Sequence, residues 1–194
     1  MPNKKTEFKA IVIGVSAGGM EALARLFALL DKDFSTPIIV VQHISPDQEF
    51  DFLMRHYSIV SKHHVKELEE KESIEKGFIY FAPPNYHVLI EDDYTFSLST
   101  DEKVNYSRPS IDILFSSAAY VYLSSIIAIV LTGANGDGSN GALDIKKNGG
   151  YVIAQDPNEA LYPTMPQTTI SKVKVDKIIK IEEIASFLNK QVNK

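Results

Sequence analysis

Four short and nearly continuous apolar runs, rich in β-branched residues, mark the chain. They cover residues 10–15, 37–42, 125–132 and 151–155. Continuous apolar character is typical of strands that are buried on both faces, as in a parallel sheet. The runs therefore predict the central strands of an α/β protein.

Apolar residues spaced three or four apart follow the first run and precede the third, which predicts amphipathic helices. They are Met20, Leu23, Phe27 and Leu30, and then Ile111, Phe115, Ala118 and Tyr122, with Pro109 well placed for a helix start. Residues 141–150 predict a further helix ended by glycine, and residues 177–190 a last strand and helix. This alternation indicates a doubly wound, mainly parallel sheet with helices on both faces.

One segment departs from the alternation of strands and helices. Residues 78–100, "FIYFAPPNYHVLIEDDYTFSLST", contain two apolar runs around 87–91 and 94–98, separated by an acidic turn. They predict an inserted antiparallel hairpin. Because no repeat or linker interrupts the 194 residues, we expect residues 1–194 to form a single domain.

Composition and charge argue against several classes of protein. The chain has no cysteine, which excludes disulfides and a cysteine nucleophile, and His63-His64 has no third ligand at metal spacing. A net charge of −5 with dispersed basic residues disfavours nucleic-acid binding. The longest apolar stretch, residues 126–134, is far shorter than the ~20 residues of a membrane span, and the N-terminus does not read as a signal peptide. We expect a cytoplasmic protein without membrane insertion, cofactor or metal.

Three polar residues with complementary chemistry follow three of the predicted strands. Ser16 follows the first run, His43 the second and Asp137, in a glycine-rich loop, the third. Ligands of parallel α/β sheets bind at the carboxyl ends of the strands. Together these residues supply the nucleophile, general base and orienting carboxylate of a hydrolytic triad. Taken singly, they are also explained as an N-cap, a packed histidine and a turn residue.

The turn after Ser16 is a candidate oxyanion site. Ser16 is expected to stand at a helix N-terminus, where unpaired N–H groups and the helix dipole favour a developing negative charge. The N–H of Ala17 is the first candidate donor. The second is an amide of the 133–136 loop, which contains Ala134 and Asn135.

The segment "GVSAGG", residues 14–19, also matches two other motifs. G-x-S-x-G is the nucleophile elbow of α/β-hydrolases, but that fold needs a strand upstream and the order Ser, acid, His. A dinucleotide fingerprint needs glycine at Ser16 and an acidic residue near His43. A Rossmann-type nucleotide-binding module is therefore the weaker alternative. Gly18 and Gly19 are expected to allow a tight turn and leave amides free for an oxyanion.

Six blocks of sequence in register resemble one known family. They are "IGVSAGGMEAL", "VVQHISP", "FAPPNYHVLI", "NYSRPSIDILF", "VLTGANGDGSNGA" and "AQDP" with "YPTMP", and they are similar to the CheB-type protein-glutamate methylesterase domain of chemotaxis. The similarity runs from about residue 9 to 188, which implies the core of the domain. The family's triad falls on Ser16, His43 and Asp137.

The resemblance implies a serine hydrolase that demethylates glutamate γ-methyl esters on the signalling helices of methylated chemoreceptors. Deamidation of glutamines is implied as a further activity, and a CheR-type methyltransferase pathway as the context. The alternative is a non-catalytic signalling adaptor that binds receptors or partners through the same surface.

The sequence departs from the better-known family members in two ways. The first strand begins near residue 9, so we expect either a stand-alone domain without a receiver domain before it or a domain excised from a longer protein. Ala134, Asn135 and Gly136 stand where those members often have methionine and Gly-Asn, which leaves the oxyanion geometry and the receptor substrate open.

Three further residues are weaker candidates for substrate contact. Arg55 follows the His43 loop and is expected to meet an acidic substrate surface or the product carboxylate. Arg108 is expected to do the same, to tie loops together or to form a plain surface pair. Met165 either lines the ester pocket or packs in the core.

Overall fold

A seven-stranded parallel sheet forms the centre of the protein in the computed structural model, which describes residues 7–44 and 49–192. The described residues form nine strands, of which β5 and β6 lie outside this sheet. They are β1 (Ala10–Val15), β2 (Ile38–Gln42), β3 (His64–Glu67), β4 (Phe78–Phe81), β5 (His87–Ile90), β6 (Phe96–Ser99), β7 (Ile126–Val130), β8 (Tyr151–Gln155) and β9 (Lys177–Ile179). The helices are α1 (Gly19–Ala28), α2 (Phe50–Val60), α3 (Ile111–Tyr122), α4 (Ser139–Lys147), α5 (Thr164–Lys172) and α6 (Ile181–Val192).

The order of the strands places β1 near the middle of the sheet. The order is β3-β4-β2-β1-β7-β8-β9, and every neighbouring pair is parallel. The chain builds outward from β1 through β2 on one side and returns to β7 on the other. Such a reversal opens a crevice at the carboxyl ends of the central strands. The predicted doubly wound topology is confirmed.

The two faces of the sheet bury two separate apolar clusters. Ile11, Ile13 and Val15 of β1 pack with residues of α1, α2 and α6, whereas Ala10 and Val12 pack with residues of α3 and α4. Because successive strand residues point to opposite faces, a strand covered on both sides is apolar throughout. This explains the continuous runs in the sequence and confirms helices on both faces.

The hairpin is also confirmed, with a later second strand than predicted. β5 pairs antiparallel with β6, and His87 lies opposite Ser99. The second strand starts at Phe96 because Tyr94 has a φ of +62° and belongs to the turn. Strands β3 and β4 and helices α2 and α5 were not predicted. β3 is an edge strand whose four residues are exposed or half-exposed, and such a strand lacks a buried apolar run.

Some sequence features lie outside the described residues. They are residues 1–6 of the N-terminus and residues 45–46, which end the "VVQHISP" block. Over residues 7–44 and 49–192, no helix has both the length and the apolar character that crossing a bilayer requires.

Candidate active site

The loops after the three central strands are joined at one edge of the sheet. The His43 N–H donates to the Val15 carbonyl at 3.0 Å, and the Ser16 N–H donates to the Thr132 carbonyl at 3.0 Å. These bonds continue the ladder of the sheet past the strand ends. They place the loops of Ser16, His43 and Asp137 side by side, as parallel pairing of β2, β1 and β7 requires.

His43 and Asp137 form a direct pair. The Nε2 atom of His43 lies 3.0 Å from Oδ2 of Asp137, whose side chain is fully buried. On the other side of the ring, Asn135 Nδ2 lies 3.4 Å from His43 Nδ1. The Asn135 amide is oriented by its Oδ1, which accepts the Asp137 N–H at 3.1 Å. Since an amide N–H can only donate, Nδ1 is the acceptor and Nε2 carries the proton.

The Asp137 carboxylate accepts five hydrogen bonds. The donors are the N–H groups of Ile111 (2.7 Å) and Asp112 (3.2 Å), the Asn105 amide (2.9 Å), the Ser110 hydroxyl (2.9 Å) and His43 Nε2 (3.0 Å). Two of these groups are the first N–H groups of α3, which need an acceptor from outside the helix. Burial raises the pKa of Asp137, but the hydrogen bonds, with that from His43 foremost, hold it below its ordinary value. Asp137 is therefore an anion.

The loop around Asp137 approaches α3 closely because a glycine follows the aspartate. Gly138 has a φ of +90°, and a Cβ atom there would lie 2.6 Å from Cγ2 of Ile111. A side chain at this position would push the loop away from the helix. The glycine-rich loop thus allows the carboxylate to reach the N–H groups of α3.

A second layer of polar residues holds the donors of Asp137. Asn105 also donates to Asp112, at 2.9 Å, and so bridges two carboxylates. The Ser110 N–H donates to Nδ1 of His87 at 3.1 Å, and His87 Nε2 donates to the Glu102 carbonyl at 3.0 Å. The sequence reasoning missed these residues. Asn105, Ser110 and Asp112 lie in "NYSRPSIDILF", and His87 lies in "FAPPNYHVLI". Both blocks contribute to the family resemblance, but these side chains do not follow one of the four apolar runs that locate the triad.

Ser16 lies in a tight turn before α1. The helix begins at Gly19, three residues after Ser16, and Gly18 has a φ of +78°. The Gly19 N–H donates to the Ser16 carbonyl at 2.8 Å. The expectation that Gly19 leaves its amide free is therefore wrong, because this bond closes the turn. Within residues 7–44 and 49–192, the N–H groups of Ala17 and Gly18 and the Ser16 hydroxyl have no hydrogen-bond partner.

Two cavities adjoin His43. The first, of about 670 Å³, is lined by residues 16–21, 42–44, Ser107 and Asn135. The second, of about 520 Å³, shares 42–44 and Ser107 and extends to Lys103 and Arg108. We call them the serine cavity and the cationic cavity. Ser16, Ala17, His43 and Asn135 thus meet around one space.

Other predicted residues lie elsewhere. Arg55 is exposed on α2. Met165 is fully buried, and its N–H donates to the Gly133 carbonyl at 2.9 Å. Neither residue lines the serine cavity or the cationic cavity. Ala134 is exposed. The Gly133 N–H donates to the Tyr162 carbonyl at 2.9 Å and is therefore already used. Among the backbone amides of the 133–136 loop, those of residues 134–136 are left as candidates for the second oxyanion donor.

Arg108 ties loops together. Its Nη1 donates to the carbonyls of Thr100 and Asp101 at 2.5 and 2.9 Å. Of the three expected roles of Arg108, these contacts match the tying of loops. Within the part of the chain that the structure describes, no group of three His, Asp or Glu side chains is arranged to hold a metal ion.

Comparison with known proteins gives consistent matches. Residues 11–188 match the family described as CheB methylesterase. A Leptospira interrogans protein, named provisionally as a protein-glutamate methylesterase/protein-glutamine glutaminase, is 47% identical over 180 residues, which cover 93% of each chain. The Thermotoga maritima protein-glutamate methylesterase/protein-glutamine glutaminase is 36% identical over 183 residues, covering 93% of this chain and 53% of that protein. The crystal structure of the Thermotoga maritima CheB methylesterase catalytic domain matches with a TM-score of 0.90 at 34% identity, over 95% of this chain and 98% of that one.

Proposed function

Since this chain belongs to the CheB methylesterase family, we propose that it hydrolyses glutamate γ-methyl esters on a protein through a Ser16–His43–Asp137 triad. The observation that supports the triad is the His43–Asp137 pair at 3.0 Å, with His43 lining the same cavity as Ser16. A buried, anionic aspartate behind a histidine is the arrangement that activates a serine.

In the proposed first step, the Asn135 amide turns from His43 Nδ1 to the ester oxygen, and the Ser16 hydroxyl attacks the ester carbonyl while the freed Nδ1 takes its proton. Nδ1 has this role because Nε2 already donates to Asp137. The imidazolium then gives its proton to the oxygen of the methoxy group. Methanol leaves, and the glutamyl group remains bound to Ser16 as an acyl-enzyme. Water attacks the acyl-enzyme by the same route, which releases the glutamate carboxylate and restores Ser16. Asp137 stays ionised and stabilises the imidazolium throughout.

The oxyanion of each tetrahedral intermediate needs preorganised N–H donors. We assign the Ala17 N–H as one donor, because it adjoins Ser16 and has no acceptor within residues 7–44 and 49–192. Asn135 is assigned as the second, since its amide already faces the His43 ring and lines the serine cavity. Arg55, Ala134 and Met165 stay predictions.

We propose methylated chemoreceptor signalling helices as the substrate, in the cytoplasm and in a pathway with a CheR-type methyltransferase. The relatives' names include protein-glutamine glutaminase as well as methylesterase. The same nucleophile and oxyanion donors act on a carboxamide, where the His43 imidazolium gives its proton to the amide nitrogen, which leaves as ammonia. We therefore propose glutamine deamidation as a second activity of the same site.

The test is methanol release from a methylated receptor fragment, with ammonia release from its glutamine form measured in parallel. Ser16→Ala should abolish both, while Ser186→Ala, at an exposed serine of α6, should retain wild-type rates. Full activity of Ser16→Ala would overturn the triad. Binding of the receptor fragment without either release would favour the adaptor function instead.

A further inference from the structure

The two cavities beside His43 differ in charge. Lys103 and Arg108 line the cationic cavity, and among residues 7–44 and 49–192 no acidic residue lines it. The serine cavity has Glu21 and, within the part of the chain that the structure describes, no lysine or arginine. The whole chain has 20 basic and 25 acidic residues and is therefore negatively charged overall. The local excess of positive charge from Lys103 and Arg108 is opposite in sign to the net charge.

Neither cation is neutralised by a carboxylate within the residues that the structure describes. Lys103 and Arg108 take part in none of the ion pairs found there, whereas Arg25 pairs with both Glu159 and Glu182. Arg108 donates only to the neutral carbonyls of Thr100 and Asp101. These bonds hold the guanidinium in place without cancelling its charge.

The cationic cavity lies next to the reaction site. It shares Gln42, His43, Ile44 and Ser107 with the serine cavity. A substrate whose ester group enters the serine cavity therefore presents its neighbouring groups to the cationic one. A positively charged cleft with low-dielectric walls attracts anions, and carboxylates are the anionic groups of a protein chain.

We propose that the cationic cavity binds a carboxylate of the substrate, supplied by an acidic side chain next to the methylated glutamate. The assignment rests on the proposed function, which places the ester in the serine cavity. It makes Lys103 and Arg108 specificity residues that favour esters flanked by glutamate or aspartate over esters flanked by neutral residues.

The test measures binding to the Ser16→Ala protein, which separates recognition from turnover. Two synthetic peptides of equal length carry one glutamate γ-methyl ester, flanked on both sides by glutamate in the first and by glutamine in the second. At low salt, calorimetry should show binding of the glutamate-flanked peptide that is about three to ten times tighter. Adding Lys103→Gln should weaken this preference, since only one of the two cations is then left. Adding Lys174→Gln instead, at an exposed lysine before β9, should leave both affinities unchanged.

Equal affinities for the two peptides, or a preference that Lys103→Gln leaves unchanged, would overturn the proposal, as would no binding of either peptide. A demethylated form of the glutamine-flanked peptide distinguishes the other source of a carboxylate. The proposal is wrong if this demethylated peptide is the only one that binds more tightly than the glutamine-flanked ester, and if Lys103→Gln removes that advantage. The cavity would then bind the product carboxylate. Failure of methanol release in the wild type would count against the esterase function and would leave the binding comparison valid.

Discussion

The two ends of the candidate triad are built differently. At one end, Asp137 is fully buried and accepts five hydrogen bonds. At the other, Ser16 is half-buried, and its hydroxyl has no hydrogen-bond partner within residues 7–44 and 49–192. The carboxylate is thus oriented before any substrate arrives, whereas the nucleophile is positioned by its backbone turn. Loss of the serine should therefore affect the reaction, and loss of the aspartate should affect both the reaction and the fold.

The largest expected effects separate the two ends directly. Ser16→Ala should lower methanol release by at least about four orders of magnitude, and change the free energy of unfolding by less than about 0.5 kcal/mol. Asp137→Asn should lower kcat by about 10⁴, and the free energy of unfolding by about 2–4 kcal/mol, because its NH₂ group meets donors instead of acceptors. Urea unfolding beside the methanol assay checks both. Equal stability of the two variants would show that Asp137 is not the better anchored end.

A single hydrogen bond at the aspartate end gives the next comparison. Ser110 and Ser116 each donate to a carboxylate at 2.9 Å, Ser110 to Asp137 and Ser116 to Asp144. Replacement of either serine by alanine should lower the free energy of unfolding by about 1–2 kcal/mol. We expect only Ser110→Ala to lower kcat, by about tenfold, since only its partner orients His43. A similar loss of kcat in Ser116→Ala would mean that general loosening of α3 is the cause.

The serine end is tested through the backbone of its turn. Gly18 and Gly77 have φ angles of +78° and +83°, but a Cβ atom at Gly18 would lie 3.1 Å from Thr132 Oγ1, while one at Gly77 would have nothing within 4 Å. Either change to alanine should cost about 1 kcal/mol of unfolding free energy from the backbone alone. Gly18→Ala should in addition lower kcat/KM severalfold by displacing the Ser16 turn. Unaltered kcat/KM in Gly18→Ala would show that the turn tolerates displacement.

The smallest effect is a pH dependence that belongs to the aspartate end. The pKa of Asp137 lies below its ordinary value in the folded protein. Its stabilising contribution is therefore complete well above the unfolded pKa of about 3.9 and is lost as the pH falls through the folded pKa. The stability difference between wild type and Asp137→Asn should narrow when urea unfolding is compared at pH 6 and pH 3. The difference in unfolding free energy between wild type and Ser16→Ala should be the same at both pH values. If the difference for Asp137→Asn were larger at pH 3 than at pH 6, the assigned direction of the Asp137 pKa would be contradicted.

The main elements of the fold were predictable because burial on both faces leaves a direct trace in the sequence. The apolar runs at 10–15 and 151–155 coincide with β1 and β8. β3 left no such trace, since its side chains are exposed or half-exposed at the edge of the sheet. Its place is set by pairing with β4, which no local pattern records.

The site was predictable only where strand topology fixes it. His43 and Asp137 follow β2 and β7, which flank β1, so the sheet brings their loops to the same edge. Asn105 and Ser110 reach Asp137 across 32 and 27 residues of sequence, through a loop with no periodicity. The roles of Arg55, Ala134 and Met165 stay predictions, because a substrate defines them and the fold does not.

The contact between Asp137 and α3 links the state of the candidate site to two backbone amides. The Ile111 and Asp112 N–H groups donate to the carboxylate that also holds His43. Local opening that frees these two amides for exchange with deuterated water also separates the carboxylate from them. Hydrogen exchange at these two positions therefore reports the free energy of disassembling the aspartate end, without substrate and without turnover.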